Sequence, residues 1–298
     1  MSAPVAAAGV DTVAGAVPAR LPGVRLLRRH VGLSIGAAVL LLVLLAAALA
    51  PVLATHDPIA NSLRERLKAP STAHVFGTDD FGRDVWSRVM WGARISLLVA
   101  TIVLLVAAVG GAVIGLLAGY FGGRVDDVLM RLVDMVLAFP PLLLALAVMA
   151  ALGSSLVNVI IAISVAFLPR FARVQRSVVL SIKERDYVLA ATGLGASHAR
   201  ILRHHIVPNC IAPAIVLVTV SAADAILVES ALSFLGLGVQ PPAPTWGAVI
   251  SDGRSFLRNA PWISSCSGAA IMVTVLGLNL LGDGLRDFLD PTLQGADT

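Results

Sequence analysis

Charge is scarce in this sequence. Only 13% of its 298 residues are Asp, Glu, Lys or Arg, and 57% are hydrophobic. Soluble globular domains carry about 25% charged residues. A chain this apolar cannot cover its surface with polar groups in water, which excludes a water-soluble fold and leaves an integral membrane protein. Lysine is scarcer still, with Lys68 and Lys183 alone. A P-loop needs G-K-[ST] so that its lysine can reach the phosphates, and neither lysine follows a glycine. That excludes a Walker-type nucleotide site. Cysteine is limited to Cys210 and Cys266, both at edges of apolar runs. One pair without metal-type spacing supports neither a disulfide framework nor a zinc site. The formal net charge of +4 is too small, and its charges too local, to argue for nucleic acid as a partner.

What is present is a series of long apolar runs with few or no charges. Val31 to Leu53 is 23 residues without a charge, flanked by Arg28 and Arg29. At ~1.5 Å per residue it crosses a hydrocarbon core of ~30 Å. It exceeds the ~7–15 residue apolar region of a cleaved signal peptide. Further runs lie at 95–121, 132–169, 206–240 and 260–281. The run from Leu132 to Pro169 is too long for one span, and "GSS" at 153–155 divides it in two. Six spans result, with both termini on one side.

The distribution of Lys and Arg orients them. With the N-terminus inside, segments 1–31, 121–131, 170–206 and 282–298 hold 4, 2, 7 and 1. The outer segments 54–94, 151–157 and 236–261 hold 6, 0 and 2. The excess on one side, led by the seven in 170–206 against Glu184 and Asp186, predicts that this segment and both termini are cytoplasmic.

That segment contains "DYVLAATGLGASHARILRHHIVPN", residues 186–209. Asp186 is expected to cap a helix N-terminus. Small or apolar residues at 190, 191, 194, 201 and 202 are expected on one face, with Arg200, Arg203 and His204 on the other. Gly193 and Gly195 predict a helix–turn–helix, and Pro208 is expected to end it and open the next span. A basic amphipathic helix lying on lipid prefers Trp, Phe and Leu on its buried face. Ala and Gly favour close docking in a groove of a partner instead.

Ala190, Ala191, Gly195 and Pro208 keep the spacing of the "EAA" cytoplasmic loop of type I ABC importer permeases, which the stretch resembles. Leu189 stands where that family usually has Glu. "FGTDDFGRDVWSRVMWGARISL" (76–97), "ESALSFLGLGVQPPAPTWG" (229–247) and "NLLGDGLRDFLDP" (279–291) narrow the resemblance to the dipeptide/oligopeptide (and nickel) permease branch, in its "C"-type subunit. Ser267–Gly268 departs from the Pro–Gly expected there.

The resemblance implies an all-α integral membrane protein with six transmembrane helices, in the type I ABC importer permease fold with cytoplasmic coupling helices. It implies a disordered cytoplasmic tail (1–30), a first transmembrane helix with an external segment (31–92), a five-helix permease core (93–287) carrying the coupling loop 186–208, and a cytoplasmic tail (288–298). ATPase coupling falls on Asp186, Tyr187, Leu189, Ala190, Ala191, Gly195, Ser197, Arg200 and Pro208. Implied partners are a second permease subunit, two ATPase subunits that hold ATP and Mg, and an extracytoplasmic substrate-binding protein. The implied location is the bacterial cytoplasmic membrane, and the implied cargo di- or oligopeptides. No catalytic residue, metal ligand or cofactor is expected in this chain. Nickel or another small solute is the alternative cargo. An ion-gradient-driven secondary transporter is the alternative class, though no internal duplication of the kind such transporters show is visible.

Asp224 and Glu229 interrupt the fifth span. An acid at mid-bilayer costs about 2.5–3.5 kcal/mol on insertion scales, so both are candidates for the substrate path. Asp134 is a third charge near a span. Arg170, Arg173 and Arg176 recur at three-residue spacing and are expected to snorkel to headgroups. "GTDDFGRD" lacks the ligand spacing of an EF-hand loop and is expected to be a structural turn. His204–His205 is a weak metal pair, since adjacent helix positions do not share a face. Gly111, Gly115 and Gly119 form a doubled G-x-x-x-G, which predicts a close helix–helix seam within the bundle or in a dimer.

Overall fold

The structure, a computed structural model, describes residues 31–289. The tail expected at 1–30 and all but two residues of that expected at 288–298 lie outside the described residues. The described chain is all-helical, with one isolated bridge between Thr78 and Asp84. Its helices are α1 (Val31–Ala48), α2 (Ala50–Leu53), α3 (Val85–Phe121), α4 (Gly123–Leu137), α5 (Pro141–Leu152), α6 (Leu156–Lys183), α7 (Asp186–Gly193), α8 (His198–Ile201), α9 (Val207–Phe234), α10 (Trp246–Gly253) and α11 (Trp262–Leu289).

Five helical stretches are long and apolar enough to cross a membrane, and the pair α4–α5 supplies a sixth only as a broken span bent by 89°. Six spans were expected, and six are reached when the bent pair is counted as one. The divide at Gly153 is present: Gly153 has φ +79°, and the Ser155 side chain accepts from Asn158 N to start α6. A second break falls at Phe139–Pro140, where the proline disfavours the helical region for the residue before it. This leaves α5 with 12 residues, about 18 Å of helix, short of the ~20 residues a span needs. The preceding α4 is amphipathic and carries Arg124, Asp126, Asp127, Arg131 and Asp134.

The second span is longer than its apolar run. Asp84 accepts from the backbone N–H of Ser87 at 2.8 Å, so α3 starts at Val85 and extends for 37 residues. That cap satisfies one of the four orphan N–H groups of a helix start. The run from Ile95 could not mark this end, because residues 85–94 include Arg88 and Arg94 and pack on protein at the helix end.

Helix α3 packs most extensively against α6. Gly111, Gly115 and Gly119 line the contact. A Cβ on Gly111 would lie 2.4 Å from Cβ of Phe171, and one on Gly115 would lie 2.5 Å from the Ala172 carbonyl oxygen. The glycine spacing therefore builds a seam within this chain's own bundle. Helix α1 is held against α11 in the same way, since a Cβ on Gly36 would meet Leu281 N at 2.4 Å. Elsewhere α1 presents Leu41, Leu42 and Leu44 outward, as a lipid-facing helix does.

Candidate functional site: the 186–208 segment and the α6 ion pairs

The segment after α6 folds as two short helices joined by a tight turn, as Gly193 and Gly195 suggested. Gly195 N–H donates to Thr192 O at 3.0 Å, and Ala196 N–H donates to Ala191 O at 3.1 Å. With φ of +78° at Gly195, this is a Schellman cap, whose C′ position requires the left-handed region. Gly195 is thus the residue that terminates α7.

Three expectations about the segment are corrected. Arg185, not Asp186, occupies the N-cap, and no side chain caps the helix. Asp186 instead sits in the first turn, where its charge complements the helix dipole. Pro208 does not end the element. Helical backbone runs from His198 to Phe234 through a widened π turn at Leu202–Ile206. The extra residue in that turn accommodates Pro208, which lacks an N–H and crowds the preceding turn. Nor do residues 190, 191, 194, 201 and 202 share a face: Leu194 is 89% exposed while Ile201 is 2% exposed. The turn reverses the chain, so a single helical wheel does not apply.

The segment has one buried side and one open side. Val188, Ile201 and Ile206 pack with Tyr120, Val179, Ile182 and Cys210. Tyr120 Oη lies 2.8 Å from His198 Nδ1, and Lys183 Nζ donates to the Tyr120 carbonyl at 2.6 Å. Asn209 Nδ2 donates to His205 O at 2.6 Å. Sequence reasoning missed Tyr120, Lys183 and Asn209, and only their contacts reveal them. Facing outward are Asp186, Tyr187, Leu189, Ala190, Gly195, Ser197, Arg200 and Pro208, with Ala191 half-buried. A side chain added at Gly193 or Gly195 would meet nothing within 4 Å. Leu189 and Leu194 are large exposed apolar groups on a knob anchored from behind.

On α6 the three arginines do not simply reach outward. Arg170 donates to Asp224 on α9 at 2.9 Å, Arg173 to Asp134 on α4 at 2.5 Å, and Arg176 makes a two-pronged contact with Asp126 on α4. Acids on two other helices lie within reach, so ion pairing takes the place of the expected snorkelling. Asp224 and Arg170 border a groove of about 380 Å³ formed where α4 breaks from α5, walled by Pro140, Phe167 and Leu227. Asp224 is half exposed.

Glu229 is different. It is fully buried, and Ser233 donates to its Oε1 at 2.8 Å. Ser230 donates to its Oε2 at 3.5 Å, and the hydroxyls of Ser96 and Thr245 lie close to the carboxylate. It joins α9 to α3 and to the start of α10.

The far end of α3 lies about 55 Å from the 186–208 segment, at ~1.5 Å per residue over the 37 residues of the helix. Here "GTDDFGRD" forms a turn closed by its own charges. Asp79 accepts from Arg83 Nε at 2.6 Å, from the backbone N–H of Phe81 and Arg83, and from Arg88. Arg83 and Arg88 both continue to Asp252 on α10, at 3.1 and 2.9 Å. Burial, then the neighbouring Asp79 and Asp252 carboxylates, push the Asp80 carboxyl above its ordinary range.

Comparison with known proteins agrees with this architecture. Residues 24–70 match the N-terminal transmembrane domain of oligopeptide transport permease C. A putative peptide transport system permease protein of Brucella abortus biovar 1 is 47% identical over 91% of both chains. A dipeptide transport system permease protein of Alkalihalophilus pseudofirmus is 46% identical, covering 84% of this chain and 83% of its own. A glutathione transport system permease protein of Pectobacterium atrosepticum is 42% identical over 91% of this chain and 90% of its own. Residues 111–295, which hold the glycine seam, the ion pairs and the 186–208 knob, match one family over more than half of the chain, and the chain belongs to it: the binding-protein-dependent transport system inner membrane components.

Proposed function

We propose that this chain is one of two permease subunits in an ATP-binding-cassette importer of di- and oligopeptides. It encloses half of the path across the bacterial cytoplasmic membrane and performs no chemistry itself. The single observation that supports this reading best is the 186–208 knob. Its rear is locked to the ends of α3, α6 and α9, and its front exposes Leu189, Ala190, Gly195 and Leu194. A groove on a separate ATPase subunit receives this front, and small side chains let the surfaces approach closely. Asp186, Tyr187, Ala191, Ser197, Arg200 and Pro208 frame the contact. The ATPases hold ATP and Mg, and both termini of this chain lie on their side of the membrane. An extracytoplasmic binding protein delivers cargo to the opposite face.

Force then enters at the knob and travels along α3 and α6, whose glycine seam makes them one rigid unit. The hinge is the break at Phe139–Pro140. The Arg170–Asp224 pair in the adjoining groove meets the cargo: a zwitterionic peptide offers a carboxylate to Arg170 and an ammonium to Asp224, replacing the internal pair by two charge-assisted hydrogen bonds. Glu229, enclosed by hydroxyls, holds α9 to α3 and α10 and does not meet cargo. Peptide cargo is favoured over nickel by the named activities of the relatives and by this paired charge. The test is uptake of labelled dipeptide into vesicles holding the complete importer. With Leu194→Asp, uptake collapses while the chain still inserts. Uptake that survives this change and follows the proton gradient supports a secondary transporter instead.

A further inference from the structure

Two histidines and a carboxylate meet at the end of the bundle opposite the knob. His56, just past α2, His74 and the α3 cap Asp84 each place one ligand atom within 4.8 Å of the others. His74 Nδ1 is 2.9 Å from Asp84 Oδ1, and His56 Nδ1 is 3.8 Å from the same oxygen. Ligand atoms on a tetrahedral zinc, at ~2.0–2.2 Å from the metal, lie about 3.3 Å apart. The two separations to Asp84 Oδ1, 2.9 and 3.8 Å, bracket that spacing, and the third lies within 4.8 Å.

The surrounding bonds hold these groups in place. The other carboxylate oxygen, Asp84 Oδ2, already accepts from Ser87 N and Oγ at 2.8 and 2.7 Å, which leaves Oδ1 for a ligand. The Ser87 hydroxyl in turn accepts from the backbone N–H of His56 at 3.1 Å, fixing that residue beside the site. On the far side of its ring, His74 Nε2 is 3.1 Å from Glu65 Oε2. Glu65 is itself held by Lys68, whose Nζ donates to Glu65 Oε1 at 3.1 Å.

This arrangement has a charge requirement. When Nε2–H donates to Glu65, the Nδ1 lone pair of neutral His74 faces the lone pairs of Asp84 Oδ1. Two acceptors at 2.9 Å repel unless a cation sits between them. A proton meets that need with two partners. A metal meets it with three, because it also recruits His56 Nδ1. A carboxylate behind a ligating imidazole is the usual outer-shell arrangement of zinc sites.

We propose that His56, His74 and Asp84 bind one divalent cation of the zinc class, with Glu65 as a positioning residue behind His74. Water completes the coordination on the exposed side of His56. The bound ion ties the chain leaving α2 to the start of α3. It is distinct from the cargo groove at the α4–α5 break, and its occupancy does not depend on which cargo the importer carries.

The test uses the purified full chain in nanodiscs, stripped with chelator and titrated with Zn2+ by calorimetry at pH 7. Co2+ serves as a spectroscopic probe of the same site. The expected result is one saturable ion per chain, with affinity reduced at least tenfold by His56→Ala and by His74→Gln. His56 is 43% exposed, so its replacement leaves the fold intact and separates lost ligation from lost structure. Glu65→Gln weakens Zn2+ by 10- to 100-fold, as outer-shell changes do, while the Co2+ visible bands persist. Absence of saturable 1:1 binding overturns the proposal. So does binding that is unchanged in either histidine variant.

Discussion

Arg170 on α6 and Asp224 on α9 lie 2.9 Å apart across the groove where the third span breaks. Each is the other's counter-charge in a largely apolar wall. Asp224→Ala or Arg170→Ala leaves one charge without its partner, whereas the double variant removes both. Both side chains are about half exposed, so a double-mutant cycle on thermal unfolding in detergent is expected to give a coupling of about 0.2–1 kcal/mol. In transport assays both single variants raise the KM for dipeptide with the complex still assembled. An unchanged KM in both removes this pair from the path.

Gly195 sets the shape of the knob through its left-handed backbone. Gly195→Ala adds about 1–2 kcal/mol of local strain. Asn tolerates that conformation better than Ala does. Gly195→Asn is therefore expected to keep more uptake than Gly195→Ala, although Asn is the larger side chain. The reverse order would show that lack of bulk, and not backbone conformation, is what the position requires.

Gly115 is governed by space. A methyl group there would stand 2.5 Å from the Ala172 carbonyl oxygen. Gly115→Ala is expected to destabilise the chain by about 1–3 kcal/mol through overpacking. Gly193→Ala, in an open helical position, is expected to be neutral or to stabilise by up to about 1 kcal/mol. Thermal unfolding of the two variants side by side checks the contrast.

The loop preceding α3 should respond to pH through Asp80. Its carboxyl titrates above the ordinary range because burial, then Asp79 and Asp252, disfavour its charge. A raised folded-state value means that the protonated form is the one that suits the fold. The contribution is complete below the unfolded carboxylate range and is lost as pH rises through the folded value. Asp80→Asn is thus expected to raise the melting temperature at neutral pH. The difference should vanish toward acid pH. A gain that is the same at every pH contradicts this assignment.

Much of this architecture was legible in the sequence because membrane helices are set by run length and small-residue spacing. The spans at 31–53 and 95–121, the divide at Gly153 and the seam at Gly111, Gly115 and Gly119 all follow from those two signals. The break before Pro140 was also written in the chain, in the restriction that proline places on Phe139, but the unbroken apolar run masked it. Pro208 misled in the opposite direction, since a π turn carries the helix past it. The ion pairs of Arg170, Arg173 and Arg176 could not be read at all. Their partners are 54, 39 and 50 residues away on other helices. The cluster of His56, His74 and Asp84 is assembled by loop folding, and its spacing matches no linear motif.

The most direct measurement places a photo-crosslinking residue at position 194, which is 89% exposed at the tip of the knob, in the complete importer in native membranes. Irradiation is predicted to yield one protein adduct, with the ATPase subunit, whose yield changes when ATP is bound. Adducts with lipid alone, at every nucleotide state, would contradict the account.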